Sequence, residues 1–85
     1  MDNPPSILSI EHTDPHFHPC YMRVGVRIDG VERNDIAYYN VHNKSYKTNR
    51  HTSHLAVVIE PYWRHAPSRQ QRRAEERWEA KRKKA

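Results

Sequence analysis

Cysteine, glycine and long apolar runs are all scarce in this chain, and each scarcity removes a class of protein. Its 85 residues hold one cysteine, Cys20, so no intrachain disulfide framework can staple a small core. A lone thiol fits a reducing, cytoplasmic setting. Two glycines, Gly25 and Gly30, are too few for a glycine-rich phosphate loop. The longest apolar run covers residues 55–59, far short of a membrane span, and no charged-then-apolar segment reads as a signal peptide. Acidic residues are few and mostly isolated, which leaves no obvious carboxylate pair for acid–base work. The expectation is a non-enzyme that needs no cofactor, with neither a membrane nor a small-molecule substrate as partner.

What the chain does have is unevenly placed charge. Residues 1–66 carry seven basic and seven acidic side chains, whereas residues 67–85 carry eight basic against three acidic, so the whole net charge of +5 sits in the tail. Such asymmetry points to an anionic partner for the tail rather than to a generally basic surface. Apolar residues make up only 35% of the chain, and a chain this short buries only ~60% of its unfolded surface. The core must therefore come from a few concentrated stretches.

Alternation locates the first of these. Cys20, Met22, Val24, Val26 and Ile28 fall on one face of a strand over residues 20–28, with Tyr21, Arg23, Gly25, Arg27 and Asp29 on the other. Asp29-Gly30 then supplies a tight hairpin turn. Residues 36–41 return as the second strand, residues 31–35 extending the hairpin or forming a bulge. An earlier strand is expected within residues 6–13. His42-Asn43-Lys44 is a second turn leading to a short strand at residues 45–48, and residues 49–54 read as a loop. Residues 55–59 (LAVVI) read as a central strand buried on both faces and ended by Pro61. The fold class is mainly β: a small antiparallel sheet or open barrel of four to five strands over residues 1–66, then a basic helical tail over residues 67–85.

The tail has a helix grammar of its own. Ser68 is a good N-cap and Gln71 completes a capping-box spacing. Residues 69–84 lack glycine and proline, yet only Ala74, Trp78 and Ala80 are apolar. A helix with so little to dock is marginal alone and is expected to be completed by a partner or by docking of Trp78.

Two resemblances follow from these stretches. Residues 23–33 (RVGVRIDGVER) with residues 36–46 resemble small β-domains of tailed phages, in which a strand ends in Asp-Gly and a second strand, a turn and a third strand follow. Asn43-Lys44-Ser45 stands where those domains carry an acidic, glycine- and tryptophan-bearing turn. The resemblance implies a phage-encoded protein. Residues 68–78 (SRQQRRAEERW) are similar to the arginine-rich peptide of lambdoid N antitermination proteins, which implies an RNA hairpin gripped by Arg69, Arg72 and Arg73 around Ala74 and Glu75. Trp78 comes two residues earlier than the stacking tryptophan of that family, whose peptide is N-terminal.

Candidate sites are few. His12, His16, His18 and Cys20, with Asp14 among them, are natural zinc ligands, but they lie between prolines and lack paired spacing, so a polar loop beside a buried thiol is the expected arrangement. His42, His51 and His54 read as turn and loop residues. The main candidate is the tail: Arg69, Arg72, Arg73, Arg77, Lys81, Arg82, Lys83 and Lys84 for phosphates, and Trp78 for a stacked base or a protein surface. Tyr21, Arg23 and Arg27 are a second platform on the exposed strand face. The expected function is a non-catalytic module that contacts DNA or RNA through its tail, in the host cytoplasm or in a virion. The competing expectation is a phage component that binds protein, either a virion part or an inhibitor of a host or defence protein.

Overall fold

The computed structural model describes residues 3–84 and, for side chains, residues 3–82. The chain is mainly β. The described residues form seven strands, β1 (Ile7–Ser9), β2 (Val24–Ile28), β3 (Val31–Arg33), β4 (Ile36–Asn40), β5 (Ser45–Thr48), β6 (Ser53–Leu55) and β7 (Ile59–Trp63), followed by helix α1 (Arg69–Lys84). They form two antiparallel sheets rather than one, ordered β1-β4-β5-β6 and β3-β2-β7, and these do not close into a barrel. The core gathers residues from both sheets: Leu8, Tyr39 and Tyr46 from the first, Val24, Val26, Ile28 and Ile59 from the second, with Cys20 fully buried among them.

Local grammar decides the turns. Asp29 and Gly30 take φ of 52° and 85°, the doubly positive pattern that joins two strands with the native twist. The partner brought back is β3, with Ile28 opposite Val31 and Val26 opposite Arg33. Residues 31–35 thus hold the hairpin's second strand, and β4 crosses to the other sheet, where it pairs with β1 and β5. At the second turn Asn40 Oδ1 accepts from the His42 and Asn43 amides, and Lys44 takes a positive φ of 58°.

Three strand expectations are corrected. Residues 49–54 are not loop throughout, since Ser53 and His54 pair with β5 as part of β6. Residues 19–23 form a 3₁₀ helix, Pro19–Arg23, so β2 begins only at Val24. Pro19 presets the first helical φ, and His18 caps the turn as its Nδ1 accepts the Cys20 amide at 3.0 Å. The alternation from Cys20 therefore breaks, and Met22 is exposed. Residues 55–59 are not a buried central strand either: Leu55 is 81% and Val57 76% exposed. The Asp29 carboxylate binds this segment as a bend, Oδ1 accepting the Val57 and Val58 amides at 2.7 and 2.9 Å. Pro61 lies inside β7 rather than ending a strand. This is an edge strand, where a missing N–H costs least.

Gly25 is explained by its partner across the sheet. Tyr62 lies opposite and its ring covers the glycine so closely that an added Cβ would collide with it. The Arg27 guanidinium then rests 4.3 Å over the same ring.

Two aspartate substitutions distinguish the observed core from the expected one. Val26→Asp buries an unpaired charge between the sheets and should cost several kcal/mol. Val57→Asp should stay within about 0.5 kcal/mol, as exposed positions do. Urea unfolding of both variants reads the difference.

Candidate nucleic-acid interface

Helix α1 begins as its sequence predicts, with the Gln71 amide donating to Ser68 Oγ at 3.2 Å. The Gln71 side chain does not complete a capping box. It donates instead to the Pro19 carbonyl at 2.8 Å and to Glu75 Oε2 at 3.0 Å, which ties the first turns of α1 to the 3₁₀ helix.

The centre of the docking is an ion pair. Arg23, at the end of the 3₁₀ helix, meets Glu75 in a two-pronged pair, Nε to Oε2 at 2.9 Å and Nη2 to Oε1 at 3.0 Å, with both residues buried. Trp63 floors the arginine, whose guanidinium carbon lies 4.0 Å from the ring centroid. Burial pushes the Glu75 carboxyl up, but hydrogen bonds from Arg23 and Gln71 and the nearby positive charge outweigh it and hold the group below the usual carboxylate range. The same hydrogen bond raises the already high Arg23 pKa.

Aromatic contacts extend the docking along the helix. Trp78 meets Phe17 edge-on, with centroids 5.8 Å apart, and lies 5.3 Å from the His18 ring. His18 Nε2 pairs with Glu79 Oε1 at 3.1 Å, and Arg82 reaches the Pro15 carbonyl at 3.4 Å. Gln71, Glu75, Trp78 and Arg82 recur at i, i+4, i+7 and i+11, one stripe of a helix. The docking face is therefore largely polar, which is why apolar periodicity did not reveal it.

Docking also sorts charge. Glu75 is buried against Arg23, and Glu79, itself exposed, accepts a hydrogen bond from His18, whereas Arg69, Arg72, Arg73, Arg77 and Lys81 face solvent without such a contact. Arg69, Arg73 and Arg77 follow the i, i+4 ridge opposite the docked stripe, about 12 Å long at 1.5 Å per residue. Among the described residues of α1, Glu76 is the one acid left unpaired by this arrangement. The side chains of Lys83 and Lys84 lie outside the described residues.

The remaining candidates disperse. The strand platform does not form: Arg23 is consumed by Glu75, Tyr21 packs on Phe17 and the core, and Arg27 covers Tyr62. His12 stacks on Phe17, both ring nitrogens of His18 are engaged, and His16 tilts toward Tyr38. Burial, with the Glu75 charge behind it, pushes the Cys20 thiol up to about 12, so it is neither a ready thiolate ligand nor a nucleophile. Among the described residues no group of three or more His, Cys, Asp or Glu side chains is placed to hold a metal ion. His51 pairs with Glu11, and His54 stacks on Tyr46. A hollow of about 650 Å³ beside Trp63 is walled by Glu75, Glu76 and Glu79 against Arg72 and the already paired Arg23, a poor setting for an anion. Comparison with family models, curated proteins and solved structures finds no match to this chain.

Glu75→Ala should destabilise the docked helix by about 3 kcal/mol, because it strands a buried guanidinium. The paired replacement Arg23→Met with Glu75→Leu should recover most of that loss. Amide hydrogen exchange across α1 measures both.

Acid should act through the same carboxyl. A group whose folded pKa is depressed contributes stability that is present above its unfolded value and lost as pH falls through its folded one. Docking should therefore be intact above the ordinary value of 4.5 and weaken progressively below it. Tryptophan fluorescence against pH would record the loss, and Glu75→Gln should flatten it.

Proposed function

We propose that the protein is a non-catalytic module that binds nucleic-acid phosphates through the outer face of α1. The observation that carries this reading is the sorting of charge across the helix, with Glu75 buried in its pair with Arg23, Glu79 held at His18 on the body side, and Arg69, Arg73 and Arg77 facing outward. A helix already seated on a folded body also presents those cations without the ordering cost that a free tail would meet on binding. Trp78 belongs to the docking contact in this reading, and the exposed cations of α1 meet the phosphates. The phage origin implied by the hairpin resemblance belongs to the same proposal, and it is compatible with either DNA or RNA.

Five exposed cations set the expected salt response. If Arg69, Arg72, Arg73, Arg77 and Lys81 each meet a phosphate, log affinity for duplex should fall with log salt at a slope of about −4 to −5. Replacing Arg69, Arg73 and Arg77 together with Gln should make that slope shallower by about three. Fluorescence anisotropy with a short labelled duplex, from low to moderate salt, tests both. Unchanged affinity in the triple variant, or no binding by the native chain at low salt, rejects this reading.

One observation favours a second reading, a protein-binding phage component. Val57 and Val58 stand exposed beside the Asp29 turn, with Val31 just past it and Leu55 on the outer strand. A protein seated on these side chains would stay bound through high salt and be released by Val57→Asp.

A further inference from the structure

We infer that the groove between the His12 loop and α1 seats one unstacked base of a single-stranded nucleic acid, beside a phosphate held by Arg77 and Lys81. This deepens the phosphate-binding reading and rests on it. The groove measures about 240 Å³, below the ~300–1,000 Å³ of pockets for larger ligands, and suits a single ring system. His12, Phe17 and Pro19 line it from the body, Ala74 and Trp78 from the helix.

Its aromatic surfaces are already arranged. His12 is exposed but stacked on buried Phe17, with centroids 4.3 Å apart and planes 26° apart. Trp78 stands at 61° to Phe17 and is only half-buried. The rings thus make an L, against which a planar heterocycle can stack on one arm and present its edge to the other, the two geometries aromatic groups prefer. The floor stays open because residue 74 is alanine.

Charge identifies the occupant. Arg77 and Lys81 form the lip, one helical turn apart, and both also belong to the outward cationic face. A phosphate on that face brings the neighbouring base to the groove. A protein aromatic would fill the groove and leave these cations unused. A duplex keeps its bases paired and stacked, so only a single strand can offer one.

The test uses the full chain with His12→Ala, which removes one arm, and Ala74→Leu, which fills the floor with another good helix former. Each is titrated by anisotropy against labelled oligothymidylate, oligouridylate and a duplex of equal length, with melting temperature as the control for folding. Each variant should lower single-strand affinity about tenfold more than duplex affinity. A loss for either oligonucleotide supports the groove. If both variants keep the native single-strand to duplex ratio while the Arg69/Arg73/Arg77 variant loses binding, the groove assignment is wrong and the ridge stands. No binding of any probe by the native chain at low salt removes both.

Discussion

One buried guanidinium and one carboxylate fix how the helix sits, and the character of its surface follows from that. Arg23 comes from the short 3₁₀ helix ahead of β2, and Glu75 from the second turn of α1, 52 positions later. Buried pairs are poor sources of net stability, since desolvation consumes much of the attraction, but they tolerate little misalignment. Two parallel hydrogen bonds at 2.9 and 3.0 Å set the rotation of the helix about its own axis. Trp78 on Phe17 sets its tilt from the other end. With rotation fixed, the division of side chains into inward and outward sets is fixed too.

The parts of the fold that were legible in the sequence are those decided locally. Asp29-Gly30, the turn at residues 42–44, the Ser68 cap and the helix at Arg69–Lys84 each depend on neighbours a few positions away. The errors came where a distant partner overruled local pattern. Residues 55–59 have the composition of a buried strand, yet an aspartate 28 positions earlier claims the Val57 amide and bends the segment outward. The run from Cys20 alternates as a strand should, but Pro19 and the His18 ring close a 3₁₀ helix first. The candidate cations were legible as a cluster. Which of their acidic neighbours would be neutralised was not, because nothing near Glu75 in sequence signals Arg23.

Small size explains much of this dependence on polar contacts. With few apolar residues and no disulfide, the chain has one thin core between two sheets and must hold its periphery by other means. Hydrogen bonds to charged groups are stronger than neutral ones, and the chain uses them where segments distant in sequence meet: Asp29 on the loop at Val57 and Val58, Arg64 on Asn34, and Arg23 on Glu75. Among the described residues every buried side-chain polar atom has a partner, as a core this small requires.

The pairing of β2 with β7 has a consequence for how the molecule assembles. Val24 lies opposite Trp63 and Ile28 opposite Ile59, so the second sheet is completed only by joining segments from the two halves of the chain. Pairings this far apart in sequence form late and slowly, because the loop must close before any contact rewards it. The site that receives α1 contains Trp63, the last residue of β7, and Arg23, the residue just before β2. It is complete only once that pairing has formed. Until then the final residues carry cations and acids intermixed along a free chain, and the basic face belongs to the finished molecule alone.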